Sequence, residues 1–480
     1  MQESRIDAGP HTRWTGRLIG LVAVLVLVNF MVDTAITAPL LVLPEMLDHF
    51  GTDQTAWINA SAMLAGVMWA PLLGKSADVH GKRKVLVLTL LLSCAGALVC
   101  AVAPSLWVFV PGRLLQGAAV AALFLSVAIV REVCAPRIAM IVVGIVTSGS
   151  AVLNIGSRFL TEKLAAEFGF QILFLISAVV AIAMAICVHN VIPESALKTP
   201  GRIDVGGALL LGGGLAGVLS YVSLGSEFGW FAVGPLVLLV VGVAAFARWF
   251  LVSSRKPDSL IDVRDLGVPL VLTLLVLVFS TGSYQSMLQL IPLVSDVPGE
   301  QGLGYGLAGQ GTLALLLAAP GIGVMIGGPV AGALATRVGP VVTLAGGIAL
   351  GTVGTVGMFF GVSQFPVAVF FAFLLGFTVG VLGTSGFNVA GGLASADRQG
   401  IVSSLVMVVV AIGSVVLDFV GSAVLKSTAV SVGGETVNSG TGVFAYITIA
   451  TAAFAIAAVL VVFLVRKSRR THKTPLTASH

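Results

Sequence analysis

The sequence predicts an all-α polytopic membrane protein, and three observations carry that prediction. Of its 480 residues 57% are hydrophobic and only 10% are charged, where soluble chains carry roughly a quarter charged residues. Its mean hydropathy is +1.06, which makes the bilayer the main solvent for the fold. Apolar stretches long enough to cross hydrocarbon recur along the chain, separated by short polar segments. Fourteen helices of about 21 residues would use about 60% of the chain, leaving no room for a large catalytic or ATP-hydrolysing domain. The 58 glycines and 19 prolines suit helices that pack closely and bend.

Hydropathy places the spans near 17–43, 55–74, 85–103, 106–130, 138–161, 170–192, 203–224, 230–252, 267–294, 305–335, 341–361, 365–391, 400–425 and 442–465. Each is expected to be a helix, because hydrocarbon cannot satisfy an open backbone. The first span follows a polar start with Arg5, Arg13 and Arg17. A secretory signal cleaved near Ala35-Ile36-Thr37-Ala38 is the competing reading, but the apolar run resumes after Asp33 and everything downstream is membrane-embedded. Fourteen spans put both termini on one side. That side collects Lys75, Lys82, Arg83, Lys84, Arg131, Arg137, Lys198, Arg202, Arg255, Lys256, Arg264, Arg337, Arg398 and the tail from Arg466 to Lys473, while Lys163 and Lys426 fall on or near the other. The positive-inside rule makes the terminal side cytoplasmic. The pI near 9.2 is therefore a topology signal, and no nucleic acid partner is expected. Cys94, Cys100, Cys134 and Cys187 show no C-x-x-C spacing and read as small apolar side chains.

The chain also echoes itself. Gly74-Lys75-Ser76-Ala77-Asp78-Val79-His80-Gly81 follows the second span, and Gly332-Ala333-Leu334-Ala335-Thr336-Arg337-Val338-Gly339 follows the tenth, with Gly, Ala and Gly at equal spacing. Two six-helix bundles at 17–192 and 266–465, separated by an inserted helix pair at 203–252 and flanked by tails 1–16 and 466–480, account for the echo. Repeated halves about a midplane site are the usual construction of secondary transporters.

The loop from Gly74 to Gly81 continues into Lys82-Arg83-Lys84 and is similar to the G-x-L-A-D-x-x-G-[RK]-[RK]-[RK] signature of the major facilitator superfamily, with Ser76 in place of Leu. Arg113-Leu114-Leu115-Gln116-Gly117, early in the fourth span, resembles the family's R-x-x-Q-G segment. Asp33-Thr34 resembles the D-x-T element of the fourteen-helix drug:proton antiporter branch, and Asp204-Val205-Gly206-Gly207 the start of that branch's seventh helix. The resemblance implies the major facilitator fold with two pseudo-symmetric bundles, alternating access, and multidrug efflux driven by a proton gradient without a cofactor. One element departs. Antiporters of this kind carry G-P followed by G-G in the fifth helix, whereas the stretch from Gly149 to Glu162 lacks both pairs. The second loop copy has Thr336 opposite Asp78 and so has lost its acid.

Asp33 is the first candidate for proton coupling. It lies about 16 positions from Arg17, so near 1.5 Å per residue it sits just beyond the bilayer middle. A carboxylate there is costly unless paired or protonated, so it can hold and release a proton; a permanent structural ion pair is the alternative. Arg113 and Gln116 lie one turn apart and can face one cavity. The resemblance places the matching Arg near the first helix as a modulator of its acid, since an approaching guanidinium favours the ionised carboxylate and its withdrawal the protonated one. Asp418 in the thirteenth span is a second proton site or a partner for a cationic substrate. Arg158 and Glu162 form an i,i+4 pair in the fifth span, read as structural or as part of the cavity. Asn29, Asn154, Ser283, Tyr284, Gln285 and Gln289 add polar groups that line a substrate cavity or join helices. Asp78 with Lys82, Arg83 and Lys84, hinged by Gly74 and Gly81, suits a conformational latch through helix dipoles. Gly323, Gly327, Gly328 and Gly332 give overlapping small-xxx-small frames for close packing.

Enzyme readings fail on their motifs. Gly74-Lys75-Ser76 ends like a phosphate loop, but position 69 is Trp69 where Gly is required. His11, His49, His80, His189, His472 and His480 are far apart, and neither H-E-x-x-H nor G-x-S-x-G occurs, so no metal site is expected. The expectation is a monomeric multi-pass transporter of the bacterial inner (plasma) membrane, both termini cytoplasmic, exporting amphipathic or cationic small molecules in exchange for protons. An exporter of one endogenous lipid or metabolite, or a facilitator without proton exchange, is the alternative. A non-transporting sensor would need a sizeable output region, and only 15 residues follow Val465.

Overall fold

A computed structural model describes residues 10–471 apart from 38, 40–41, 53–54, 197, 200–203, 254–266, 296–309 and 433–434. The described helices are α1 (Gly16–Thr37), α2 (Leu43–Phe50), α3 (Thr55–His80), α4 (Lys82–Ala101), α5 (Leu106–Gln116), α6 (Ala121–Val133), α7 (Pro136–Ser148), α8 (Ser150–Phe168), α9 (Gln171–Val191), α10 (Val205–Phe228), α11 (Val233–Ser253), α12 (Val268–Ser295), α13 (Gln310–Val338), α14 (Pro340–Gly361), α15 (Phe365–Leu393), α16 (Gln399–Ser427) and α17 (Gly440–Thr471). A short antiparallel hairpin pairs β1 (Val430–Val432) with β2 (Glu435–Val437). Among the described residues, eleven helices are long and apolar enough to cross a membrane, and the apolar helices Pro136–Ser148 and Val205–Tyr221 are shorter.

Among the described residues, helix lies in each predicted apolar segment, with four local departures; positions 38, 40–41, 203 and 305–309 of those segments lie outside the described residues. The first segment, predicted to reach 43, stops at Thr37, because Pro39 has no N–H to continue the ladder, and a separate helix α2 follows. The fourth is two helices joined by a 3-10 turn at Gly117–Val120. A Cβ on Gly117 would collide with the Ala62 carbonyl oxygen, so the backbone of α3 lies directly against this turn. The fifth is interrupted at Gly149, between α7 and α8. The last helix runs on to Thr471, beyond the predicted end at 465 and into the segment expected to be a tail.

Two compact units divide the chain. Unit 1 comprises Met1–Asp265 and Ala394–Val408, and unit 2 comprises Leu266–Leu393 and Val409–His480. The start of α16 thus belongs to unit 1 and the rest of that helix to unit 2.

In unit 1 the pair α10 and α11 packs backbone to backbone. A Cβ on Gly217 would stand 2.9 Å from the Leu238 carbonyl oxygen, and one on Gly242 would stand 2.9 Å from that of Gly214. Helix α10 lies equally close to α3, where a Cβ on Gly212 would stand 2.9 Å from the Cα of Met68. Phe109, Phe170, Phe174, Met46 and Val42 close a core around α2. In unit 2, α13 packs on α15 through the predicted glycines, since any Cβ on Gly323 or Gly327 would collide with the backbone of Phe373 or Phe377. Met287, Leu316, Leu375, Tyr446 and Ile447 build the core of this unit. The sequence echo has a backbone counterpart in each unit. Gly81 between α3 and α4 has φ of 107°, and Gly339 between α13 and α14 has φ of 89°, a region that L side chains avoid.

Candidate functional site

Asp33 lies on α1 and meets α8. Its carboxylate Oδ2 accepts a hydrogen bond from Asn154 Nδ2 at 2.9 Å, and the Ser150 side chain bonds the same carboxylate. Both partners are neutral donors. Among the described residues no cation is paired with Asp33. One turn earlier the buried Asn29 gives its amide to the Leu25 carbonyl at 2.9 Å, and its Oδ1 receives no donor.

Arg113 is fully buried on α5 and reaches the last turn of the first helix. Its Nη1 donates to the Ala35 carbonyl at 3.0 Å and to Gln116 Oε1 at 2.7 Å, and its Nη2 donates to the Ile36 carbonyl at 3.2 Å. These carbonyls belong to the last turn of α1, where helix geometry leaves acceptors without intrahelical donors and the dipole favours a cation. The guanidinium therefore caps the helix that carries Asp33, and its described hydrogen bonds go to helix-end carbonyls and Gln116 and not to that carboxylate. Gln116 Nε2 continues to Ser177 Oγ on α9 at 3.5 Å, so Arg113 and Gln116 act as one linked pair.

Asp418 occupies a different setting on α16, within unit 2. Its Oδ1 is buried and receives no hydrogen bond. The nearby hydroxyls are committed elsewhere. Tyr446 Oη donates to the Ser286 carbonyl at 2.9 Å, and Ser286 Oγ donates to the Leu417 carbonyl at 3.4 Å. Tyr284 on α12 is buried, Gln285 beside it is partly exposed, and Ser283 Oγ turns back to the Phe279 carbonyl at 2.7 Å. The side chains of Arg158, Glu162 and Gln289 lie outside the described residues, so the fifth-span ion pair and the Gln285–Gln289 face have no structural account.

The loop signature from Gly74 to Lys84 builds a compact cluster inside unit 1. The Asp78 carboxylate accepts the backbone N–H groups of Gly400 at 2.8 Å and Ile401 at 2.9 Å, the free donors at the start of α16. A Cβ on Gly74 would stand 2.7 Å from Ser404 Oγ and 2.9 Å from the Gly400 carbonyl, so only glycine lets α3 and α16 approach this closely. Asp78 lies beyond the apolar stretch 55–74, and burial pushes its carboxyl up to about 6, against the opposing pull of its two backbone donors and of Lys82 and Lys75. Lys82 is wholly buried and pairs with Glu132 at 2.7 Å, Arg83 faces Glu194 at 3.5 Å and donates to the His189 and Ile192 carbonyls, and Lys84 is exposed.

Several participants carry no motif. Glu132 receives Lys82, the Ser195 hydroxyl at 2.9 Å and the Ala196 N–H at 2.8 Å. Its sequence signal was faint: an acid just after the fourth predicted span, among basic residues. Ser150, Ser177, Ser195, Thr199 and Tyr446 are of types too common in membrane helices and loops to stand out.

The sequence model of the Major Facilitator Superfamily matches residues 24–205, 204–418 and 308–479. The chain is 27% identical over 371 residues to the Multidrug resistance protein B homolog of Mycobacterium tuberculosis (strain ATCC 25618 / H37Rv), covering 75% of this chain and 65% of that relative's length. It is 27% identical over 362 residues to the Uridine/deoxyuridine transporter of Lactococcus lactis subsp. cremoris (strain MG1363), covering 73% of this chain and 74% of the relative. Multidrug resistance protein Stp of the same Mycobacterium strain is 24% identical over 393 residues, covering 80% and 71%. Among solved structures, the human organic anion transporter MFSD10 superposes with a TM-score of 0.64 at 17% identity over 93% of this chain and all of that one. The Escherichia coli fucose:proton symporter FucP superposes with a TM-score of 0.62 at 13% identity, covering 94% and 99%. Matched along nearly all of its length by the family's sequence pattern and sharing its helical architecture, this chain belongs to the Major Facilitator Superfamily.

Proposed function

We propose that this protein is a proton-coupled exporter of amphipathic or cationic small molecules, of the fourteen-helix type, working by alternating access in a bacterial inner membrane. The observation that carries the reading is Asp33: an acid in an apolar helix, held by the neutral donors Asn154 and Ser150 with no described ion pair. Neutral donors let a carboxyl group exchange a proton without breaking a salt bridge. Arg113 fixes the end of the same helix through the Ala35 and Ile36 carbonyls, so a movement of α5 relative to α1 would reshape the surroundings of the acid. Asp418, with its unpartnered oxygen, is the group assigned to the cationic cargo. Asp78 on the first residues of α16 is the latch that holds one conformation. The relatives' printed names, two multidrug resistance proteins among them, favour drugs as cargo.

The test is accumulation of a fluorescent lipophilic cation in proteoliposomes with an imposed pH gradient. The wild-type chain concentrates the dye, and Asp33→Asn inserts normally but does not. Full gradient-driven accumulation by Asp33→Asn would refute the coupling role. A second reading, a transporter of one specific solute, is favoured by the uridine/deoxyuridine transporter among the relatives. Uptake of labelled uridine that ignores the pH gradient, with no dye movement, would establish it in place of the first.

A further inference from the structure

The stretch 192–199, which follows α9 and precedes the helix pair α10–α11, has no place in the reading above, yet it contacts both sides of the latch. The backbone N–H of Thr199 donates to the Asp78 carbonyl oxygen at 2.8 Å, at the end of α3. The hydroxyl of the same residue donates to the Asp397 carbonyl oxygen at 2.8 Å, in the 3-10 turn Ala396–Arg398 that leads into α16. Asp78 itself grips Gly400 and Ile401, the next residues along that helix. One residue therefore bridges the two segments that the latch joins. The end of α3 and the start of α16 cannot separate without breaking at least one of its two hydrogen bonds.

The rest of the stretch is anchored to the same loop. Ser195 Oγ accepts the Lys82 N–H at 3.0 Å and donates to Glu132 at 2.9 Å, while the Ala196 N–H donates to the other Glu132 oxygen at 2.8 Å. Glu194 packs over Gly81, where any Cβ would collide with its Oε1. Glu132 is thus a hub, since its carboxylate is shared between the buried Lys82 ammonium and two donors of the linker. Every one of these groups lies in unit 1.

We propose that Ser195, Ala196 and Thr199, after α9, form a clip that sets the strength of the latch, with Thr199 as its positioning residue and Glu132 as the post to which it is fastened. The proposal rests on Asp78 being a latch. It assigns the connection into the inserted helix pair a part in the transport cycle, in addition to its covalent one. Helix α10 lies against α3 at Gly212 and Met68, so the clip and the pair both brace the helix that ends in Asp78.

Ser404 offers a reporter, because it is fully buried against Gly74 while the latch is closed. Ser404→Cys is introduced into the full chain, and its labelling by a membrane-impermeant maleimide is followed in vesicles whose cytoplasmic face is outward. The parent chain, with its own four cysteines, is the blank. Thr199→Val removes the hydroxyl but keeps the shape and the backbone donor. It is expected to raise the labelling rate about three- to tenfold, the range that follows from losing one hydrogen bond, and Thr199→Ser restores the parental rate. Asp78→Ala, which removes both acceptor oxygens, raises labelling at least as much. Should Thr199→Val fail to insert, Ser195→Ala loosens the other end of the clip and is expected to raise labelling in the same direction. If Asp78→Ala leaves labelling unchanged, the latch reading fails and the clip with it. If Asp78→Ala raises labelling but neither clip variant does, the clip alone is overturned.

Discussion

Asp33 and Asp418 each place a carboxyl group in an apolar helix, one in each unit, and their surroundings differ in kind. Asp33 is met by an amide from Asn154 and a hydroxyl from Ser150. Asp418 has a buried oxygen that no donor meets, and the hydroxyl of Tyr446 is spent on the Ser286 carbonyl. A carboxylate with neutral donors is stabilised without being neutralised, so a proton can come and go at modest cost. One without donors stays costly when ionised until something from outside, a proton or a cationic cargo, compensates it. The contrast suits the two roles that the proposed exporter needs, one acid for energy and one for recognition.

The most forceful way to break this comparison is to neutralise each acid in turn in the same proteoliposomes. Asp33→Asn is expected to abolish gradient-driven accumulation of every cargo. Asp418→Asn is expected to weaken a cationic dye about tenfold in KM, equal to about 1.4 kcal/mol, and to leave a neutral lipophile unchanged. Equal losses for both cargoes in Asp418→Asn would erase the division of labour.

A smaller effect comes from making Asp33 resemble Asp418. Asn154→Leu removes the amide donor, and about tenfold loss of efflux rate is expected from one missing hydrogen bond to a charged group. A shift of the efflux pH profile should accompany it, because the donor stabilises the ionised form. An unchanged profile would show that Asn154 merely packs α8 against α1.

The mildest contrast lies outside the apolar spans, at Asp78. Burial in the latch raises its carboxyl to about 6, whereas in water it would keep its ordinary value near 3.8. The latched form therefore binds the proton more tightly than the released form. Above about pH 6 the group is ionised in both, and the burial penalty weakens the latch. As pH falls from about 6 towards the ordinary value, protonation removes that penalty and the latch tightens. Cytoplasmic labelling of Ser404→Cys should accordingly fall across this window and stay flat in Asp78→Asn. Labelling that rises as pH falls would reverse the sign.

Much of this architecture was legible because hydrophobic length and glycine spacing are local properties. Gly323 and Gly327 announced close packing, and they lie against the backbone of Phe373 and Phe377. Arg113 and Gln116, one turn apart in sequence, hydrogen-bond at 2.7 Å. What stayed hidden depends on partners far apart in the chain. The amide for Asp33 comes from Asn154, and the donors for Asp78 come from Gly400 and Ile401, at the far end of the sequence. Nothing in the order of residues says that Arg113 would choose helix-end carbonyls over a carboxylate, because that choice follows from where α1 stops. Its end at Thr37, set by Pro39, exposes the Ala35 and Ile36 acceptors.

The coupling role of Asp33 is tested most directly by infrared difference spectroscopy of the purified protein in lipid, following the carbonyl band of a protonated carboxyl group. The wild-type chain should show at neutral pH a component of this band that is lost in Asp33→Asn and retained in Asp418→Asn, and that disappears as a cationic cargo is bound and reappears on its release. A carboxylate at position 33 that stays ionised throughout, while the same preparation pumps cargo against its gradient, would contradict the account.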